Sequence, residues 1–221
     1  SGINHEEDGT LSYDFLNDEW MFDITDETWK MLKATDDHRL SPVDEGRPSP
    51  RYTPVFQKVG NYQFLFGGYT EDRLGKRKLN DTWVRSSENW VRIPSGLQAG
   101  YQAGADYPGL RYGSMSAADE SSVYVFGGFS DDGDHNDLWC FDLELRQWRQ
   151  FEPDSDACNS PQARYCAAFT CFDRNLYLFG GRSRRFPKKN FNDLWMYDLL
   201  AAKWIELTGN RPSNYYDGRT D

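Results

Sequence analysis

Along this chain apolar and polar residues alternate over short runs, and no helical period of useful length interrupts them. The clearest stretch reads 165-YCAAFTCF-172, a turn at Asp173-Arg174-Asn175, 176-LYLF-179, then 193-DLWMYD-198 and 204-WIEL-207. Such runs, rich in β-branched and aromatic types and bounded by turn formers, predict β-strands. Four in succession predict one antiparallel sheet.

The same markers return in the same order. Arg-Tyr opens a unit at Arg51-Tyr52, Arg111-Tyr112 and Arg164-Tyr165. An apolar run ending in a glycine pair follows, at Gly67-Gly68, Gly127-Gly128 and Gly180-Gly181. Asn-Asp-x-Trp comes next and places Trp20, Trp83, Trp139 and Trp195 at intervals of 63, 56 and 56 residues. A second tryptophan closes each unit, at Trp29, Trp90, Trp148 and Trp204. Repetition at this period marks a stacked or radial array. A glycine pair ending the second strand permits a sharp bend or the close approach of a neighbour. The paired tryptophans give each sheet bulk to pack on the next.

The reading is an all-β propeller built from four-stranded blades. Three complete units, at about 51–93, 111–151 and 164–207, follow a half unit at about 17–32 that holds only the third and fourth strands. Residues 1–221 then form a single domain: a half blade over 1–50 and blades at about 51–110, 111–163 and 164–221.

In the order and spacing of these markers the chain resembles the kelch-repeat family, over about residues 11–207. The resemblance implies a non-catalytic interaction domain: an adaptor, scaffold or substrate receptor, working in the cytoplasm or nucleus. A few kelch-type propellers are instead oxidases, lyases or epimerases. Propellers close into rings, which removes the exposed sheet edges that invite aggregation. The chain therefore reads as a section of a larger propeller, its remaining blades supplied by the parent chain or by another polypeptide.

Composition narrows the function classes. A net charge of -10 and a pI near 4.8 weigh against nucleic acid as a partner. The longest apolar runs, such as 62-YQFLFGG-68, are too short to span a bilayer. Cys140, Cys158, Cys166 and Cys171 form no CxxC pair and only His5, His38 and His135 accompany them, so neither a metal nor another cofactor is expected. The cysteines read as reduced, buried thiols, with Cys166 and Cys171 in one strand. No catalytic residue can be named. Asp18, Asp81, Asp137 and Asp193 recur once per unit beside Asn, which favours a structural hydrogen bond over acid catalysis, and 131-DDGDHND-137 lacks the EF-hand spacing.

One stretch asks for a separate explanation. Between Gly180-Gly181 and Trp195 stand Arg182, Arg184, Arg185, Lys188 and Lys189. The glycines lack the P-loop spacing and open no helix, so a phosphate loop is excluded. As a connection between second and third strands, 182–191 shares one propeller face with its counterparts, whose charges alternate. Residues 4–16 carry four acids and no base, 69–79 four bases against two acids, 129–135 three acids, and 182–191 five bases. Two readings stay open. Neighbouring loops attract one another, or the face grips a protein partner with an acidic or phosphorylated segment through Arg73, Arg182, Arg184, Arg185, Lys188 and Lys189, with the rim aromatics Tyr69, Phe129, Phe186 and Phe191 as anchors. Arg51, Arg111 and Arg164 admit two roles, internal pairing around the central channel or, as the resemblance implies, the ligand-binding mouth, and Arg111 and Arg164 are counted among the partner-binding candidates.

Overall fold

In a computed structural model of the chain, the described residues are 2–5, 11–34, 46–72, 75–94, 107–154, 159–185 and 188–209. All regular elements among them are strands. The half blade comprises a hairpin, β1 (Gly2–His5) with β2 (Leu11–Asp14), and a second hairpin, β3 (Glu19–Asp23) with β4 (Thr28–Lys33). Blade two orders β5 (Val55–Val59), β6 (Tyr62–Asp72), β7 (Gly75–Arg85) and β8 (Val91–Ile93). Blade three orders β9 (Met115–Ala118), β10 (Ser122–Phe129), β11 (Asp134–Asp142) and β12 (Gln147–Glu152). In blade four, β13 (Ala168–Phe172) and β14 (Asn175–Phe179) are followed by a short hairpin, β15 (Arg182–Ser183) with β16 (Lys189–Asn190), before β17 (Leu194–Asp198) and β18 (Lys203–Thr208) complete the sheet. No helix among the described residues is long and apolar enough to cross a membrane.

Local chemistry explains these boundaries. Asp173 and Arg174 both sit at positive φ, 46° and 57°, the two-residue turn whose twist matches a hairpin. The glycine pairs behave differently from the sequence expectation. In blades two and three the second strand runs through them, with a register shift between Phe66 and Gly68 and between Phe126 and Gly128. They are bulges within the hairpin rather than strand ends; only β14 stops short of its pair. The segments expected as loops are accordingly part strand, β1–β2 included.

The blades pack face to face. Val55, Phe64, Phe66 and Val84 of blade two bury against Val123, Val125, Phe141 and Trp148 of blade three. The far side of blade three, with Tyr124, Phe126 and Leu138, meets Leu176, Leu178, Tyr197 and Trp204 of blade four. Six tryptophans are buried, Trp83, Trp139 and Trp195 among them. Trp20 and Trp29 depart from the expected packing: they are 47% and 65% exposed, because no other sheet among the described residues covers them. The cysteines also need correction. Cys140 is buried, but Cys166 is exposed at φ 53°, ahead of the strand that carries Cys171, while Cys158 lies outside the described residues.

The markers interlock between neighbours. The Gly68 amide donates to the carbonyl of Arg111, and the Gly128 amide to that of Arg164, at 2.9 and 3.0 Å. A Cβ on Gly67 would stand 2.8 Å from the Arg111 carbonyl oxygen, and one on Gly127 2.6 Å from that of Arg164. Glycine is required where the next blade's backbone crosses.

Candidate partner-binding face

Each unit builds the same internal hub. Arg51 forks onto both oxygens of Asp81, Arg111 onto Asp137 and Arg164 onto Asp193, the shorter contact being 2.6 Å each time. The guanidinium also donates to the carbonyl of the first glycine of its own pair, Gly67, Gly127 or Gly180. The tryptophan two residues beyond the Asp donates its indole N–H to the same carboxylate. Burial works to raise the carboxyls of Asp81 and Asp193, but the arginines and the indoles outweigh it and hold both below the usual carboxylate range. Arg111 and Arg164 are 3% and 0% exposed. That corrects their assignment to a partner: their donors are committed within the blade. The Asp residues are likewise structural.

The tyrosines that follow these arginines carry the face instead. Tyr52, Tyr112 and Tyr165 each bridge to the residue after the glycine pair, Tyr69, Phe129 and Arg182. These bridges set the rings in a row. Tyr52 lies 5.2 Å from Tyr69 and 5.8 Å from Tyr112, Tyr112 lies 5.6 Å from Phe129, and Phe129 lies 6.0 Å from Tyr165. Burial raises the Tyr52 and Tyr112 hydroxyls above the usual phenol range. The signal was in the sequence, in the Tyr beside every opening Arg.

Cations stand over this row. The Arg184 guanidinium lies 4.9 Å above Phe129 and 5.5 Å above Tyr165, and its Nε donates to the Tyr165 hydroxyl at 3.0 Å. Arg182 stacks on Tyr165 at 4.8 Å and Lys78 on Phe129 at 5.4 Å. Lys78 is also paired with the exposed Asp131. Lys188 and Lys189 are exposed at the rim, and Lys189 reaches Gln162. Phe191 is not a rim aromatic; it is buried beneath Arg164 at 3.9 Å. Arg73 and Phe186 lie outside the described residues.

An acid of blade three fixes the cationic loop. Asp134, 2% exposed, accepts at Oδ2 from Ser183 Oγ and from the amides of Arg184 and Arg185, at 2.5, 2.7 and 3.3 Å. Consecutive amides converging on one carboxylate form a nest, which sets the loop's backbone whatever its side chains do. The three acids of this loop divide accordingly: Asp134 is buried support, Asp131 and Asp132 are exposed.

A further constellation arises only in three dimensions. His135 Nδ1 lies 2.6 Å from Asp154 Oδ2, and Nε2 lies 2.7 Å from Ser130 Oγ. This is the order of a nucleophile, base and orienting acid. Ser130, however, is 6% exposed and its Oγ accepts the Asp132 amide, closing a turn. Asp154 Oδ1 caps the amides of Asn136 and Asp137. Asp137, which with His135 and Asp154 brings donor atoms within 4.8 Å of one another, has its oxygens committed to Arg111 and Trp139. The group braces the tip of β10–β11 against the segment beyond β12.

Comparison with known proteins agrees with this architecture. The family model of the KLHDC2/KLHL20/DRC7 Kelch-repeats domain matches residues 5–213. The chain is 30% identical to Kelch domain-containing protein 10 of Homo sapiens, over 82% of this chain and 39% of that protein. It is 29% identical to Tip elongation aberrant protein 1 of Schizosaccharomyces pombe, over 82% of this chain and 14% of that protein. A Thlaspi arvense N-(sulfonatooxy)prop-2-enimidothioate sulfolyase is 26% identical over 72% of this chain and 44% of its own length. The chain thus spans less than half of each of these relatives. With its blades, interlocked glycines and Arg–Asp–Trp hubs, it belongs to the kelch-repeat family of β-propeller domains.

Proposed function

We propose that this domain is a non-catalytic protein-binding module whose partner docks on the aromatic–cationic face with an acidic or phosphorylated segment. Family membership supports an interaction role in general, although one relative carries an enzyme's name. One observation carries the finer reading. Arg184 is held at its Nε by Tyr165, at its plane by two rings and at its backbone by Asp134, and no carboxylate among the described residues meets its Nη atoms. A fork fixed in advance loses little side-chain entropy when an oxyanion arrives. Arg182, Arg185, Lys188 and Lys189 add long-range attraction, while Tyr69, Phe129 and the row between them offer rigid apolar contact. Its free thiols suit the reducing cytoplasm or nucleus, where we place its work.

An array of acidic, phosphorylated and neutral peptides, probed at two salt concentrations with wild type and R184E/R185E, tests this reading. Wild type should retain acidic or phosphorylated peptides best at low salt, the double variant at least about tenfold less, at an unchanged melting temperature. Equal retention by both proteins would overturn it.

A further inference from the structure

Lys78 Nζ pairs with Asp131 Oδ1 from blade two to blade three, and the two partners are unlike. The Lys78 side chain is 10% exposed and that of Asp131 85%. Lys78 is fixed by its strand: it is the register partner of Tyr69 on β6, and its ammonium lies 5.4 Å from the Phe129 ring centroid. Little holds Asp131. The turn that carries it closes without its carboxylate, by the Ser130 amide to the Gly133 carbonyl and the Asp132 amide to Ser130 Oγ. An exposed carboxylate returns to water at little cost, whereas an ammonium kept among rings needs another anion.

A second cation stands over the same ring. The Arg184 guanidinium lies 4.9 Å from Phe129, and its charge acts on the hydroxyls of Tyr52, Tyr112 and Tyr165. Tyr112, with its ring 5.6 Å from Phe129, feels both cations: burial raises its hydroxyl, while Arg184 and Lys78 pull it down. Tyr112 is 8% exposed, yet among the described residues no hydrogen bond ends on its hydroxyl, nor on those of Tyr52 and Tyr69. Phenols can donate, and they bring no negative charge against an incoming oxyanion.

We propose that Lys78, Arg184 and the Tyr112 hydroxyl form one site for a phosphate monoester on the docking partner, and that Asp131 is the internal anion it displaces. The site presumes the docking role proposed above for this face, and it names what docks there. Charge selects the ligand. One carboxylate matches one cation, as Asp131 does for Lys78, and leaves Arg184 unmatched. A phosphate monoester carries about -1.5 to -2 near neutral pH and three acceptor oxygens, enough for an ammonium, a guanidinium and a phenol together. Because one anion replaces another, Lys78 is never buried without a counter-charge.

The probes are a peptide library with phosphoserine at its centre and matched libraries with glutamate or serine there, titrated into wild type and variants. Wild type should bind the phosphoserine library at least about tenfold tighter than the glutamate library, and Lys78→Met should lose that preference. Asp131→Asn, an exposed change that spares the turn, should tighten phosphoserine binding at least about threefold; Asp132→Asn removes the same charge without freeing Lys78 and should stay within about twofold of wild type. Should Lys78→Met fail to fold, the two aspartate variants decide. Equal affinity for phosphoserine and glutamate, or equal effects of Asp131→Asn and Asp132→Asn, would overturn the site. If both libraries bind equally and R184E/R185E releases both, the docking face stands and this site falls; if R184E/R185E changes nothing, both fall. Inorganic phosphate that displaces the library at the library's own concentration would make a free ion the ligand and equally overturn it.

Discussion

Trp148 donates its indole N–H to Thr82 Oγ1 at 3.0 Å, from the closing strand of blade three to the variable position of Asn-Asp-x-Trp in blade two. Tyr107 shares the same hydroxyl at 2.6 Å. One blade earlier Glu19 takes this role for Trp90, at 3.3 Å. One blade later the position is Leu138, and the buried Trp204 indole N–H has no partner among the described residues. Thr82→Val should therefore cost about 1–3 kcal/mol, since it strands two buried polar groups. In the reverse direction, Leu138→Thr should cost about 1 kcal/mol less than the same change at the equally buried Leu176, because it gives Trp204 an acceptor. Urea unfolding of the three variants checks both; equal costs at 138 and 176 would contradict the argument.

The hubs make stability depend on acid. Asp81 and Asp193 are held below the usual carboxylate range in the fold, so their contribution is present above the unfolded value, about pH 4, and is lost as the pH falls further. Arg164→Met leaves Asp193 buried without its cation and should cost about 3–5 kcal/mol at pH 7. In that variant only the Trp195 indole and a backbone hydrogen bond are left to oppose burial at Asp193, so the deficit should shrink by at least about 1 kcal/mol at pH 3, where the acid becomes neutral. Urea midpoints at the two pH values measure this, and a constant deficit would refute it.

Equivalent glycines should differ by what crosses them. Gly127→Ala drives a Cβ to 2.6 Å from the Arg164 carbonyl oxygen and 2.8 Å from that of His135, while at Gly180 the nearest atom lies 3.3 Å away. Both sit at positive φ. We expect Gly180→Ala to cost about 1 kcal/mol, the backbone term alone, and Gly127→Ala at least about twice that. Thermal melts of the pair decide it.

Asp134 should hold the cationic loop rather than the fold. In Asp134→Ala the amides of Arg184 and Arg185 lose their shared acceptor. Trypsin should then cleave after Arg184 or Arg185 at least about fivefold faster, with a melting temperature within about 3 °C of wild type. Cleavage at the wild-type rate would show that other contacts order the loop.

Much of this fold was legible in the sequence, because blade construction is local. Alternation wrote the strands, and recurrence of Arg-Tyr, Gly-Gly and Asn-Asp-x-Trp wrote the units, since every blade must solve the same packing problem against its neighbours. For Arg111 and Arg164 the sequence left internal pairing as only one of two readings. Alone, an arginine reads as surface charge, and only the fold brings its fork across 26 or 29 residues onto an aspartate that takes two of its donors. The stacking of the tyrosines into one row and the Asp134 nest were hidden for the same reason, as both join residues of different blades, although the recurring Tyr itself was visible. Likewise the sequence counted eight tryptophans in equivalent places, and only the sheets around them decided that six are core while Trp20 and Trp29 face outward. A residue type sets what a side chain can bond or bury; which of those capacities is used depends on the neighbour that tertiary packing puts in reach.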